Sequence, residues 1–409
     1  MTELTHSTIE VGSKDRSEIM QFPIFNVLLV KLAARCNLNC TYCYWFKDES
    51  VYEKPPIMSN ETELNLLLKL KKHIVKHQLN KFTLLFHGGE PLLFGKKRFS
   101  NMVSDIREIE EETKCKIYLG ITTNGTLIDE EWVKIFKMTQ MSLTISIDGP
   151  SKIHDARRVG LKGEGSFDRV IQGLKLIQEN GLEPRILAVC EPNFAPDIVV
   201  DYFVNSLGIE HFDILIPDAT HEDSPHSITE YYKRLFDLWF DTHSAAGIEI
   251  RYALSIAKSI LGIDPQIDSI GYGPIQLVTV LTDGSFDPLD VLNITNNGTS
   301  QTKMSVYTHE IQDVIHDSIW QEAFQASLNL PSRCLACEYK FACGGGYLPH
   351  RWSNKDRFNN PSIYCSDLKE IFDHVWLRLA SKIEIVQDDL KISLLDAIKS
   401  ENMGFKESS

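Results

Sequence analysis

The chain has 409 residues, of which 43% are hydrophobic and 24% are charged, and its formal net charge is -14. This composition is typical of a globular protein that buries a large core. The acidic balance argues against nucleic acid or an anionic membrane as the main partner, because both favour a basic surface. The sequence has no apolar run of transmembrane length and no signal-peptide pattern at its start, so we expect a cytoplasmic protein.

Short apolar runs alternate with amphipathic stretches between residues 24 and 220. This alternation predicts an α/β fold in which parallel strands are joined by right-handed helical crossovers. Six such units, without the signature of a doubly wound sheet after the first strand, favour a partial (β/α)6 TIM barrel. In that fold the functional residues lie on loops at the carboxyl ends of the strands. The predicted strands are IFNVLLVKL, FTLLFHG, KIYLGITT, SLTISID, RILAVCE and FDILIP.

The second half of the chain changes character. Residues 221–265 predict helices, and residues 275–292 predict a hairpin with Asp283–Gly284 as its turn. A loop-rich, cysteine-bearing segment follows, and helical periodicity returns from residue 366. We expect the first twenty or so residues to be flexible. The predicted regions are a flexible start (1–23), a core (24–220), a helical connector (221–274), a cysteine-rich extension (275–370) and a C-terminal helix and tail (371–409).

The chain has nine cysteines, an odd number that does not suggest a disulfide framework in a reducing compartment. Cys115 and Cys190 stand alone in apolar surroundings, so we expect them to pack in the core. The other seven cysteines fall into two groups, and clustered cysteines in such a protein favour metal binding or catalysis. The groups are Cys36, Cys40 and Cys43, and then Cys334, Cys337, Cys343 and Cys365.

The first group lies in the stretch KLAARCNLNCTYCYWF. Three thiolates on one tight loop can hold three corners of a cubane iron–sulfur cluster and leave one iron without a protein ligand. A structural zinc site would need a fourth cysteine or histidine nearby, and none lies within twenty residues. The spacing, with Tyr42 before the third cysteine, resembles the signature of the radical S-adenosylmethionine (SAM) superfamily. The resemblance implies a [4Fe–4S] cluster whose open iron binds SAM, cleavage of SAM to a 5′-deoxyadenosyl radical, and Tyr42 near the adenine.

Three further motifs, FHGGEP, GITTNGT and SISIDGP, follow the second, third and fourth predicted strands in order, and HDARR comes next. Each of them alone is weak, because such sequences occur in ordinary turns, but together and in this order they are specific. The resemblance extends over residues 24–220. It implies that SAM is contacted by Gly88, Gly89 and Glu90 at its amino group, by Thr122, Thr123, Asn124, Ser146, Asp148 and Arg158 at its ribose and carboxylate, and by Val189 at its adenine.

The second cysteine group, CLACEYKFACGGGY with Cys365 downstream, supplies four thiolates. Four thiolates can close either a zinc site or an iron–sulfur cluster, and the spacing alone does not decide. The pattern resembles the SPASM extension of radical SAM peptide maturases, which implies an auxiliary [4Fe–4S] cluster. A full SPASM extension holds a second auxiliary cluster, whose ligands include cysteines in and around the hairpin and one shortly after the position of Cys343. This chain has Leu289 at the hairpin position and Tyr347 at the later one. We therefore expect two clusters in total, or about eight irons.

The string CGGGYLPHRWS…FNNPSIYC resembles maturases that cross-link ribosomally synthesised peptides into cyclophanes, in which an aromatic ring carbon is joined to a nearby Cβ. The resemblance implies a precursor peptide as substrate and an electron donor such as flavodoxin or ferredoxin. It assigns no role to His350 or Arg351, for which a structural role is the alternative. Any leader peptide would bind the barrel or the cysteine-rich region.

Forming such a cross-link removes two electrons and two protons overall, so a base near the substrate would help. Related sulfatase maturases use an aspartate just after a hairpin cysteine, which implies Asp290 here and Asp287 as second choice. Either aspartate could instead serve only the turn. We also expect the segment PDATHEDSPH (217–226), which follows the sixth strand, to form part of the substrate cleft.

Several alternatives stay open within this class. A thioether-forming or epimerising peptide maturase fits the same motifs, and so does a sulfatase-maturase-like enzyme, although the missing second auxiliary cluster weakens the latter. The alternative from another class is a zinc-binding regulatory protein on a barrel scaffold, with no catalytic activity.

Overall fold

Nine strands form a single sheet in the computed structural model, which describes residues 22–295 and 298–390. Most of the segment predicted to be flexible, and residues 391–409 of the predicted tail, lie outside the described residues. The strands are β1 (Val27–Ala33), β2 (Lys81–Gly88), β3 (Lys116–Thr123), β4 (Ser142–Ser146), β5 (Arg185–Val189), β6 (His211–Leu215), β7 (Glu249–Ile250), β8 (Val278–Val280) and β9 (Phe286–Asp287).

The α-helices of the described residues cover the sheet and carry its connections. None of them is both long enough and apolar enough to cross a membrane. They are α1 (Asn60–His77), α2 (Lys96–Thr113), α3 (Glu130–Thr139), α4 (Ser151–His154), α5 (Phe167–Glu179), α6 (Pro196–Asp201), α7 (Thr229–Leu238), α8 (Arg251–Ile260), α9 (Ser318–Leu328), α10 (Ser332–Leu335), α11 (Lys340–Cys343) and α12 (Cys365–Leu390).

The strand order in the sheet is β7-β6-β5-β4-β3-β2-β1-β8-β9, and all pairs from β7 to β8 are parallel. The six predicted strands correspond to β1–β6, and the predicted α/β fold with an open, partial barrel is confirmed. Because the strands are parallel, their carboxyl ends meet at one edge of the sheet, where the predicted motifs lie. The isolated cysteines Cys115 and Cys190 are 0% and 1% exposed and pack in the core, as predicted.

The hairpin predicted for residues 275–292 is present as the antiparallel pair β8–β9. Gly284 has a φ of +83° in the turn, a conformation that favours glycine. The sequence did not predict that β8 would also pair with β1, in parallel register from Leu28–Val278 to Val30–Val280. The sheet therefore continues past the predicted boundary at residue 275, and the limits of the regions remain predictions.

The C-terminal helix α12 packs against α7 and is anchored there by Asp367. This buried carboxylate accepts hydrogen bonds from the backbone N–H groups of Ile228 and Thr229, at 2.9 and 3.1 Å, and from the Thr229 hydroxyl. These N–H groups lie at the start of α7, where the helix leaves its first donors without intrahelical partners. A carboxylate supplied by α12 thus caps α7 and fixes the cysteine-rich end of the chain on the barrel.

Candidate functional site

The loop after β1 carries Cys36, Cys40 and Cys43, all of them partly exposed. The Cys36 sulfur accepts hydrogen bonds from the backbone N–H of Leu38 at 3.4 Å and from the side-chain amide of Asn124 at 3.6 Å. Burial raises the pKa of Cys36 to about 12, and it raises the pKa of the other two thiols as well. Three thiols presented together on one loop are the donor set that a cubane with one open iron requires.

Two glycines let the end of β2 lie directly against this cysteine loop. A Cβ atom on Gly88 would come within 2.4 Å of the Ala33 carbonyl oxygen, and a Cβ atom on Gly89 within 2.3 Å of the Arg35 carbonyl oxygen. The backbone N–H of Gly89 donates to the Ala33 carbonyl at 2.8 Å. In the described chain, these two glycines let the end of β2 lie close to the backbone that precedes Cys36.

Replacing Gly89 by alanine should therefore disturb the cysteine loop. The new methyl group has no free space, because the Arg35 backbone lies within 2.4 Å of it. We expect G89A to lose about four of the eight irons expected in the reconstituted protein, because a displaced loop cannot hold a cluster. Iron analysis and visible absorption measure this loss.

Gly273→Ala is the matched control, since no atom lies within 4 Å of the position of its Cβ and the same substitution meets open space. Full iron content in G89A would contradict the role of this close contact.

Glu90 is completely buried and organises the next layer of the site. Its carboxylate accepts from the backbone N–H groups of Leu92 and Asn124, at 3.0 and 2.8 Å, and from the Thr123 hydroxyl at 2.7 Å. The Asn124 amide in turn donates to Asn37 at 2.9 Å as well as to the Cys36 sulfur. Three of the predicted SAM-contact residues, Glu90, Thr123 and Asn124, thus form one network that reaches the cysteine loop.

A second network joins Tyr42, Asp148 and Arg158. The Tyr42 hydroxyl donates to both carboxylate oxygens of Asp148, at 2.9 and 2.8 Å, and accepts from the Arg158 guanidinium at 2.5 Å. Burial raises the pKa of Tyr42 well above its ordinary value, so the hydroxyl stays protonated and can donate. Asp148 also accepts from the backbone N–H of Val189 at 3.2 Å. Four more predicted residues therefore lie together at the ends of β4 and β5.

The remaining predicted SAM contacts lie on the neighbouring strands: Ser146 is buried at the end of β4, and Thr122 is half-buried on β3. Asn37 and Arg157 also belong to the site but were not predicted from the sequence. The Arg157 guanidinium carbon lies 4.3 Å from the centre of the Tyr42 ring, and the same group donates to the Val189 carbonyl at 2.9 Å. The motif HDARR contains Arg157 next to Arg158, but nothing in the sequence indicated that both arginines would belong to the site.

The four C-terminal cysteines Cys334, Cys337, Cys343 and Cys365 border one cavity of about 150 Å³. Gly344 has a φ of +63°, and a Cβ atom there would lie 1.9 Å from the Gly271 carbonyl oxygen. Four thiols around one cavity fit a cluster with no open position. Within the described residues, no three Cys, His, Asp or Glu side chains converge as ligands of a single metal ion would. The thiolates of a cubane cluster do not converge on one metal ion, because each thiolate binds a different iron.

Arg351 is 1% exposed and holds together the segment that leads to Cys365. Its guanidinium donates to four backbone carbonyls at 2.8–3.3 Å, those of Phe358, Asn360, Ala326 and Asn329. This is the structural role that was given above as the alternative for Arg351.

We expect Arg351→Ala to lower the free energy of unfolding by about 3 kcal/mol, because the substitution leaves buried carbonyls unsatisfied. Urea denaturation measures this loss, Arg185→Ala is the control at an exposed arginine, and equal stability of the two variants would contradict it.

On the other side of the first cysteine loop, the hairpin brings Asp290 to Lys31 of β1. The Lys31 ammonium, whose side chain is 0% exposed, lies 2.5 Å from the Asp290 carboxylate. It also lies 3.1 Å from the Tyr44 hydroxyl, which donates to Asp290, and 3.2 Å from Nδ1 of His87. Burial raises the pKa of Asp290, but Lys31, with smaller contributions from His87 and Tyr44, more than offsets this, and the pKa lies below its ordinary value. Asp290 is therefore ionised at neutral pH.

Asp287, the second choice for a base, has different surroundings. It is 1% exposed on β9, and neither carboxylate oxygen has a hydrogen-bond partner in the described chain. Burial raises its pKa to about 8. Asp290 borders a large cavity in the barrel, whereas Asp287 is absent from that cavity's lining in the described residues.

This larger cavity measures about 280 Å³ and lies inside the barrel. Strands β1, β2, β5 and β6 contribute Leu29, His87, Leu187 and Leu215 to its wall, and the hairpin segment contributes Asp290. Asp218 borders it too, so part of the segment 217–226 lies at the cleft. Because Asp290 is ionised and borders the cavity together with Tyr44, which follows Cys43, it can accept a proton that a bound molecule loses on oxidation.

Leu289 and Tyr347, which stand where a full SPASM extension has cluster ligands, also border this cavity. Leu289 is 2% exposed and packs in an apolar group with Ile275, Val291 and Trp352. Leu289 and Tyr347 offer no thiolate at these two positions, and the number of auxiliary clusters stays a prediction.

Known proteins resemble this chain in sequence and in fold. Residues 30–192 match the family described as the radical SAM superfamily. A cysteine-type anaerobic sulfatase-maturating enzyme of Clostridium novyi is 26% identical over 85% of this chain and 94% of its own length. The solved structure described as native anSMEcpe with bound AdoMet has a TM-score of 0.77 and 26% identity, and covers 88% of this chain and 99% of its own. The same protein with AdoMet and Cp18Cys peptide has a TM-score of 0.76 and 25% identity, over 88% and 99%.

Proposed function

Because the chain carries a radical SAM domain, we propose that it is an enzyme that cleaves SAM and oxidises a side chain of a peptide or protein substrate. The similarity to sulfatase-maturating enzymes along most of both chains supports a peptide or protein as the substrate. The observation that carries the proposal is the cavity that adjoins the cysteine loop and holds the ionised Asp290.

The residues that fit the cofactors are those described above. Cys36, Cys40 and Cys43 would hold the SAM-binding [4Fe–4S] cluster, and the four cysteines around the smaller cavity would hold the auxiliary one. When bound, SAM and its cluster supply the 5′-deoxyadenosyl radical that removes a hydrogen atom from the substrate. Glu90 and Asn124 fix the cysteine loop, while Tyr42 and Asp148 orient Arg158. A buried network of this kind keeps its donors and acceptors in place before the ligand binds.

On the substrate side, Asp290 accepts the proton that leaves the oxidised residue. Lys31 and Tyr44 hold its carboxylate in one position, and Lys31 keeps it ionised. Leucine and valine side chains of the cavity wall lie on the same side of the barrel as this carboxylate. Lys31, Tyr44 and Asp290 therefore act as one proton-accepting unit.

We propose that the product is a cyclophane, in which an aromatic ring carbon is joined to a nearby Cβ. The substrate would lose two hydrogens overall, one as an atom and the other as a proton that Asp290 accepts. The auxiliary cluster that the four C-terminal cysteines would hold would supply an acceptor for the remaining electron. The residues Leu289 and Tyr347 support this product over sulfatase maturation. By the resemblance, they replace cysteine ligands of a second auxiliary cluster, so that cluster is expected to be missing here. Sulfatase-type oxidation is the second candidate, favoured by the relatives. Thioether formation and epimerisation use the same radical and remain further alternatives.

The test starts with anaerobic purification, cluster reconstitution and reduction with dithionite, followed by assay of 5′-deoxyadenosine. The peptide encoded by a neighbouring reading frame is then supplied, and its mass change is located by fragmentation. A cyclophane predicts the loss of about two hydrogens per motif and a linked aromatic residue, because the reaction removes two electrons and two protons. A product that reacts with an aldehyde probe would favour sulfatase-type chemistry, and an unchanged mass would favour epimerisation. A protein that binds zinc and never cleaves SAM would contradict the proposal.

A further inference from the structure

The cationic side chains that border the larger cavity are already paired. The Lys31 ammonium, just behind the wall, lies 2.5 Å from Asp290. Nε of Arg251 donates to Asp213 at 2.7 Å, and burial of Asp213 makes this a partly shielded pair. Lys31 is therefore committed to Asp290, whereas the Arg251 guanidinium also acts on Asp268, where it partly opposes the rise in pKa that burial causes.

Two more carboxylates border the same cavity. Asp218 follows β6, and Asp268 lies in the loop after α8. Within the described part of the chain, neither of them forms a salt bridge with a lysine or arginine. The Asp218 side chain is 22% exposed and Asp268 is exposed, so an entering molecule can reach both. Besides Asp290, the cavity wall thus presents two carboxyl groups to an entering molecule.

Two buried polar atoms of the cavity wall have no hydrogen-bond partner among the described residues. They are Nε2 of His350, in a side chain that is 3% exposed, and the hydroxyl of Tyr252, in a residue that is 1% exposed. Nε2 of His350 lies 3.6 Å from the Asp218 carboxylate, which is too far for a hydrogen bond. Buried polar atoms almost always have a partner. These two point to polar groups that arrive with a ligand.

The rest of the wall near these carboxylates is aromatic and apolar. It includes Tyr44, Tyr347, Leu215 and Ile216. Long cationic side chains pair an apolar stem with a charged head, and they bind well where apolar or aromatic surface leads to a carboxylate. The chemistry of the cavity therefore matches lysine or arginine better than a neutral or acidic side chain.

We propose that Asp218 and Asp268 bind a lysine or arginine side chain of the peptide substrate, close to the residue that is oxidised. Asp290 is not part of this cation-binding subsite, because its carboxylate is already paired with the Lys31 ammonium. The inference rests on the proposed function for the identity of the ligand as a peptide, but the recognition of charge can be measured without turnover.

The direct test is binding to the reconstituted, SAM-loaded enzyme. The probes are two peptides, acetyl-Gly-Gly-Phe-Gly-X-Gly-Gly-amide, in which X is arginine or its neutral isostere citrulline. We expect the arginine peptide to bind at least about tenfold more tightly at low salt, because hydrogen bonds to a charged partner exceed neutral ones by that margin. Isothermal titration calorimetry measures both affinities. Equal affinities, or no binding of the arginine peptide at millimolar concentration, would overturn the inference.

The variant D218N/D268N should bind the two peptides equally. D268N alone should reduce the preference in part, and because Asp268 is exposed this variant is not expected to disturb folding. Asp105→Asn, at an exposed aspartate on α2, is the matched control and should keep the full preference. A preference that survives in D218N/D268N would place the cation elsewhere.

Assay of 5′-deoxyadenosine on the same preparations separates the two proposals. SAM cleavage without a charge preference would contradict this inference and leave the proposed function standing. A charge preference in a protein that never cleaves SAM would contradict the proposed function and support the cation subsite.

Discussion

The variant C36A/C40A/C43A is expected to lose SAM cleavage completely and to retain about four of eight irons after reconstitution. The three thiols lie on one loop after β1, and we propose that they are the protein ligands of the SAM-binding cluster. Without them, SAM has no iron to bind and no electron can reach it. Iron analysis and the 5′-deoxyadenosine assay measure the two losses.

The reciprocal variant C334A/C337A/C343A should also lose about four irons, yet it should keep SAM cleavage in the absence of peptide. These thiols border the smaller cavity, and we assign them to the auxiliary cluster. Cys115→Ala is the matched control, since this cysteine is buried in the core and away from both groups. If either set could be removed without loss of iron, that assignment would be wrong.

Asp290→Asn is expected to uncouple SAM cleavage from product formation. An amide of the same size cannot accept the proton, so product formation should fall by roughly 10²–10⁴-fold, the usual contribution of a general base. Formation of 5′-deoxyadenosine should continue. Asp283→Asn is the control in the same hairpin, because Asp283 pairs with Lys54 in the turn. Product formation by D290N at the normal rate would remove Asp290 from the mechanism.

Because Lys31 affects the pKa of Asp290, product formation and stability should both depend on pH. Its ammonium lowers the pKa of Asp290 below the ordinary 3.8, so the pair stabilises the fold above that pH. This stabilisation is lost as the pH falls through the lower pKa of the folded protein. Lys31→Met removes the cation, so the pKa of Asp290 rises and the acid limb of product formation moves to higher pH. The unpaired buried carboxylate should also reduce stability by about 3–5 kcal/mol. An acid limb that stays in place would contradict the role of Lys31.

The strands and the order of the motifs could be predicted because they depend on local patterns. Alternation of apolar runs and amphipathic helices is visible in one sequence, and a parallel sheet places every following loop at the same edge. The residues Glu90, Asp148 and Arg158 were found in this way, since each belongs to a short motif after a strand.

Contacts between distant parts of the chain could not be predicted in this way. Nothing in the sequence pairs Lys31 with Asp290, because their contact depends on β8 adding to β1. The signal that was present is a lysine inside an otherwise apolar strand, which implies a buried partner. Asp268 was missed because its loop shows no motif, and it reaches the cavity only through the folding of α8 and the segment that follows.

The pairing of β8 with β1 has a consequence for how such an enzyme can change in evolution. One strand of the barrel carries the lysine, and the hairpin that precedes the auxiliary cysteines carries its aspartate. A protein cut before the hairpin would leave a strand edge open and a charged lysine in an apolar core. Exchanging the cysteine-rich region between barrels would therefore also require a matching strand edge and a matching partner for Lys31.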